Sequence, residues 1–150
     1  MRKLDNQGQY KIDDLKLDSF KGYFSTEEET SNSIKEVSEK YNYLIDPHTA
    51  VAHRAYKKYK LETKDTTKTI IVSTASPFKF GDKVASSIGI DTDGKDNFQI
   101  LDEISQKADL KIPINILNLK DKEIIHRNNC NKEDMKEMLL NLLKVGEIDD

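Results

Sequence analysis

The sequence predicts an α/β arrangement whose sheet is incomplete. Three observations carry that prediction. Thr69-Ile70-Ile71-Val72 is a continuous β-branched run, as expected for a strand buried on both faces. Amphipathic, well-capped helical segments lie on both sides of it. No second run of that quality accompanies it, and one core strand cannot make a sheet, so its neighbours have to come from sequence outside this chain.

The elements follow in order. Met1 to Gly8 reads like the last turn of a helix ended by a glycine cap, a pattern that fits a chain cut inside a domain better than a native start. Tyr10 to Phe20 has mixed apolar spacing and reads as loop, and Lys21-Gly22-Tyr23-Phe24 as a short strand. Ser25-Thr26-Glu27-Glu28 matches a capping box, with Ser25 as cap and Glu28 reaching back. The helix it opens runs to about Tyr41, with Ile34, Val37 and Tyr41 as its apolar stripe and acids in its first turn. Asp46-Pro47 opens a second helix, since aspartate caps well and proline suits the first helical position. Ala52, Ala55, Tyr56 and Tyr59 then fall at helical spacing and are expected to face the core, with Lys57, Lys58 and Lys60 as a solvated end and Leu61 to Lys68 as loop. After the strand, Pro77 to Ile88 reads as a helix closed at Gly89, Ile90 to Lys95 as a turn-rich loop, and Asp96 to Lys107 as a helix marked by Phe98, Leu101 and Ile104. A last helix begins at Asn131 or Lys132 and carries Met135, Met138, Leu139 and Leu142; Glu147 to Asp150 read as a frayed end.

Composition removes several function classes. The 150 residues carry 24 Lys+Arg against 27 Asp+Glu, for a formal net charge of -3, which argues against a basic nucleic-acid footprint. Hydrophobic residues are 36% and charged residues 34%, so a modest core underlies a heavily charged surface. Cys130 is the single cysteine, which rules out an internal disulfide and fits a reducing cytoplasm. No secretory or membrane-length apolar run is present. The scattered glycines make no phosphate cradle. His53 and His126 lack partners at metal-ligand spacing, which favours structural or surface roles, and Cys130 sits in a polar stretch with no sign of an activated thiol.

Two segments offer chemistry. Asp46-Pro47-His48-Thr49-Ala50 puts an imidazole and a hydroxyl at a helix start, where free backbone N–H groups can hold a phosphate or carboxylate; equally, Asp46 merely caps and its neighbours are ordinary first-turn residues. Ser73-Thr74-Ala75-Ser76-Pro77 leaves the carboxyl end of the strand, the place where open α/β sheets bind ligands, although its hydroxyls serve as well to cap the next helix.

Taken together and in this order, Asp46-Pro47-His48-Thr49-Ala50-Val51-Ala52 and Ile71-Val72-Ser73-Thr74-Ala75-Ser76-Pro77-Phe78-Lys79-Phe80 resemble the C-terminal signatures of microbial threonine synthases. The acidic helix over Ser25 to Tyr43, with Ile100-Leu101-Asp102, Ile112-Pro113 and Leu119-Lys120-Asp121-Lys122, extends the resemblance over nearly the whole chain. The resemblance implies the C-terminal part of a tryptophan-synthase-like, fold type II enzyme dependent on pyridoxal phosphate (PLP). It implies a helix-rich part at 1–68, a central strand and cofactor-facing loop at 69–80, and a helical tail at 81–150. The implied reaction turns O-phosphohomoserine and water into threonine and phosphate, with PLP as electron sink.

Carried over by position, the hydroxyl that meets the pyridine nitrogen is Thr74, with Ser73 as second choice; Asp46 and His48 contact substrate; and His48 and Thr49 stand in the catalytic position. A neutral hydroxyl leaves that nitrogen free to stay unprotonated. Lys79 is structural in this scheme. The family's Schiff-base lysine and cofactor-phosphate loop have no counterpart in the chain, so the chain alone is expected neither to hold PLP stably nor to catalyse. The missing N-terminal half would supply both. The alternatives are a non-catalytic partner-binding or regulatory module derived from the same fold, and an unrelated small α/β enzyme.

Overall fold

The computed structural model describes residues 20–125 and 127–144. The expectations for Met1 to Gly8, for most of Tyr10 to Phe20, for His126 and for Glu147 to Asp150 lie outside the described residues. The described residues fall into two compact units divided between Leu117 and Asn118.

In the first unit, α1 spans Glu27–Tyr41. Its cap is Thr26, not Ser25: the Thr26 hydroxyl accepts from Glu29 N and the Glu29 carboxylate accepts from Thr26 N at 3.0 Å. Both registers satisfy the box pattern. The later one wins because Glu29 also receives Arg54 at 2.9 Å and Lys58 at 2.8 Å from the neighbouring helix. Thr30, Ser33, Ile34 and Val37 form the buried face, whereas Tyr41, expected in that stripe, is 59% exposed.

Helix α2 spans Pro47–Thr63, capped by Asp46 as expected and ended by Lys64 in the left-handed region at φ 58°. It packs against α1. Its buried residues are Thr49 and Ala50. Ala52 is exposed, and Ala55, Tyr56 and Tyr59 are only half-buried, so the expected core face is rotated toward the helix start. The lysines are not simply solvated: Lys57 pairs with Glu36 at 2.6 Å, Lys58 reaches Glu29 and the Phe24 carbonyl, and Lys60 lies over the Tyr56 ring. Cross-helix carboxylates therefore replaced the water that a surface lysine otherwise uses.

Thr69–Val72 forms no assigned element, and no strand is assigned anywhere among the described residues. Ile70 is 89% exposed and Val72 70%, so the expected burial on both faces is absent. Among the described residues no backbone hydrogen bond reaches Ile70, Ile71 or Val72. A β-branched run needs paired neighbours to be covered, and none is at hand. Lys21–Phe24, likewise, has no strand partner among the described residues and is tied to α2 through Tyr23 Oη donating to Glu62 at 2.7 Å.

A 3-10 turn over Pro77–Phe80, capped by Ser76, leads into α3 (Gly81–Ser87), and Gly89 follows it at φ 76°. Helix α4 (Asn97–Ala108) starts at Asp96, which forms a capping box with Gln99. Ile100, Leu101 and Ile104 face α3, where Val84 and Ala85 are fully buried. Each fully buried aliphatic side chain such as Ile34 or Ile104 contributes about 2–3 kcal/mol of hydrophobic stabilisation. A one-turn α5 (Ile114–Leu117) closes the unit.

In the second unit a 3-10 turn, Lys132–Asp134, precedes α6, Met135–Leu142. Its Met135, Leu139 and Leu142 are all more than half exposed.

Candidate active site

The site grows from the way α2 begins. The chain arrives through Leu44 and Ile45, both buried, which pins Asp46 in extended geometry at φ -78° and ψ 164° with its side chain fully buried. A buried carboxylate must find donors to offset lost hydration. Asp46 Oδ1 accepts from His48 N at 2.9 Å and Thr49 N at 3.4 Å, and lies 3.2 Å from His48 Nδ1. Asp46 Oδ2 accepts the Thr49 hydroxyl, with the Ser73 hydroxyl 3.5 Å away. Burial pushes the Asp46 carboxyl up, but the Thr49 hydroxyl, the His48 and Thr49 amides and the His48 ring together hold it below the usual carboxylate range.

The two sequence signatures meet here. The Thr49 and Ser73 hydroxyl oxygens lie within hydrogen-bond distance at 3.0 Å. Phe80, from the end of the second signature, packs against His48 of the first, with ring centroids 5.0 Å apart and planes at 58°. His48 is otherwise open, its side chain 65% exposed. Thr74, one residue on, is exposed, and its hydroxyl makes no hydrogen bond among the described residues. The pair is thus divided: Ser73 is turned into the Asp46 cluster and Thr74 is left available. Lys79 is exposed.

One expectation for this helix start is corrected. Pro47 has no N–H, and the next two donors, on His48 and Thr49, are already taken by the Asp46 carboxylate. A phosphate would find no free amide in that turn and a buried negative charge behind it.

Beside the cluster is a pocket of about 380 Å³, walled by Tyr41, Tyr43, Ile45, Tyr56 and Ile71, with Thr49 and Ser73 at its polar side. His53 also lines it; its Nδ1 is buried without a hydrogen-bond partner among the described residues, and desolvation lowers the affinity of the ring for a proton. Sequence reasoning missed this pocket. The signal was available, because Thr49, His53 and Tyr56 stand four and three residues apart and share a face of α2. It also missed Phe80, whose contact with His48 depends on the path of the chain between them. No group of three metal-ligating side chains is present among the described residues, nor any helix long and apolar enough to cross a membrane.

Comparison with known proteins bears on the same residues. The family described as "Threonine synthase, C-terminal" matches residues 49–127, just over half of the chain. Threonine synthase of Schizosaccharomyces pombe is 39% identical over 75 residues, covering 49% of this chain and 15% of that protein. The chain therefore spans a small part of the length of that curated relative.

Proposed function

The chain belongs to the threonine synthase C-terminal family, and on that premise we propose that it is part of a threonine synthase, contributing two segments to the site where O-phosphohomoserine and water become threonine and phosphate. The observation that carries the reading is the meeting of its two signatures through Thr49 and Ser73, 3.0 Å apart across 24 residues of sequence.

The family depends on PLP, which when bound supplies the electron sink for carbanion chemistry. Thr74 suits the ring nitrogen of that group, because its hydroxyl is neutral, exposed and unpartnered among the described residues. Ser73 serves instead to tie the extended segment to Thr49 and Asp46. Asp46 orients His48 and Thr49; His48 offers an exposed imidazole to substrate, and Thr49 sets the floor beneath it. The α2 start has no spare amide for a phosphate, so the group that holds the cofactor phosphate, like the Schiff-base lysine, belongs to another part of the complete enzyme. The isolated chain is then inactive.

A second reading, a partner-binding module derived from the same fold, draws on one feature: an Ile70–Val72 segment with exposed Ile70 and Val72 and no backbone pairing among the described residues, beside an aromatic pocket lined by Ile71. The two readings share the need for a complementary polypeptide and differ in whether the assembled site turns over.

A graft separates them. Residues 46–127 replace the corresponding segment of the Schizosaccharomyces pombe threonine synthase, and phosphate release from O-phosphohomoserine is followed. PLP-dependent release supports the enzyme reading. A folded, PLP-loaded chimera without release overturns it in favour of the module.

A further inference from the structure

We propose that Phe80 is a positioning residue for His48: with the Asp46 carboxylate it fixes the imidazole so that Nδ1 carries the proton and Nε2 is the outward-facing proton acceptor.

The tautomer follows from what each group can do. Asp46 is fully buried and already accepts two backbone N–H groups and the Thr49 hydroxyl. An ionised carboxylate only accepts, so the 3.2 Å contact between Asp46 Oδ1 and His48 Nδ1 requires the proton on Nδ1. In a neutral ring Nε2 then carries the lone pair.

One hydrogen bond does not hold an exposed ring. With its side chain 65% exposed, His48 has room to leave the Asp46 contact for other rotamers, and that freedom favours departure. Phe80 supplies the second wall at 5.0 Å. Phe80 is itself constrained. It ends the Pro77–Phe80 turn at φ -127° and ψ 46°, it packs on the main core, and Gly81 follows it. A Cβ on Gly81 would stand 3.0 Å from Leu101 Cδ2, so the glycine right after Phe80 lets α3 approach α4 closely. The Phe80–His48 contact joins the second signature to the first separately from Thr49–Ser73.

The meaning of a poised Nε2 for proton transfer rests on the threonine synthase reading; the ring geometry does not. The test is accordingly made on the full chain without substrate. Long-range ¹H–¹⁵N correlation spectra of the histidine rings, at a pH where His48 is neutral, report which nitrogen is protonated. The Nδ1–H form is expected to dominate for His48. In Phe80→Leu the Nδ1–H form should lose its dominance, and the ring-current shift of the His48 Hε1 proton should vanish. Phe80→Tyr, which keeps the aromatic ring against His48, should keep the original pattern. A dominant Nε2–H form in the unaltered chain, or an unchanged tautomer ratio in Phe80→Leu, overturns the proposal. An inactive graft with the expected His48 spectrum would sink the enzyme reading and leave this one standing.

Discussion

Two helices of this chain start on aspartate with nearly the same backbone: Asp46 at φ -78° and ψ 164°, Asp96 at φ -76° and ψ 163°. In both, Oδ1 takes the two free amides that follow, His48 and Thr49 in one case, Phe98 and Gln99 in the other. There the likeness ends. Asp96 is exposed and completes its cap with the Gln99 side chain, which accepts from Asp96 N at 2.9 Å. Asp46 is fully buried and gathers the Thr49 hydroxyl, the Ser73 hydroxyl and the His48 ring. A cap needs one carboxylate oxygen, so the partners of the other oxygen and of the ring at Asp46 measure what that helix start does beyond starting a helix.

The largest effect should come from Asp46→Ala. It strips two amides and the buried Thr49 hydroxyl of their acceptor, and urea denaturation should show a loss of about 2–4 kcal/mol. A loss no greater than an ordinary cap substitution would erase the distinction. Thr49→Val tests the second oxygen, together with the contact to the Ser73 hydroxyl. It leaves the cap intact and removes the donor to Asp46 Oδ2, for an expected cost of about 1–3 kcal/mol. Asp96→Ala should cost about 1 kcal/mol, the value of an exposed cap. Ser73→Ala, on an exposed residue whose hydroxyl is 3.5 Å from Asp46, should cost under about 0.5 kcal/mol and act instead on the tie between the two signatures.

The start of α1 sharpens the contrast by pH. Hydrogen bonds from Lys58, then the Thr26 amide and Arg54, pull the Glu29 carboxyl from 4.5 down to about 2. A carboxyl lowered by folding stabilises the fold fully above its unfolded value and loses that contribution as pH falls through the folded one. Acid titration of stability should therefore show a decline between about 4.5 and about 2, and Glu29→Gln should flatten it. The lowered Asp46 carboxyl has the same sign and adds to the decline in acid, so Glu29→Gln flattens the curve only in part.

How much of this was legible depended on distance along the chain. Asp46, Pro47, His48 and Thr49 sit in one helical turn, and local rules put their groups together correctly. The Thr26 cap was missed by one residue because Ser25 and Thr26 both precede a run of glutamates, and the choice is made by Arg54 and Lys58, more than 20 residues away. Ser73 and Thr74 could not be told apart, since successive residues of an extended chain point to opposite sides and nothing local fixes which side is inward. The run Thr69–Val72 was read as a buried strand from its β-branched composition. Ile70 and Val72 are instead exposed and no backbone hydrogen bond reaches Ile70, Ile71 or Val72 among the described residues, so composition alone did not make a strand. Phe80 and the tyrosine-walled pocket needed the folded path of the chain.

A double-mutant cycle on Asp46 and Thr49, with Asp96 and Gln99 as the matched control, is the sharpest probe of whether the α2 start is built around more than a cap. Chemical denaturation of Asp46→Ala, Thr49→Val and the pair should give a coupling of about 1–2 kcal/mol, while the exposed control stays within about 0.5 kcal/mol of additivity. Additive losses at Asp46 and Thr49, or equal couplings at the two helix starts, would contradict it.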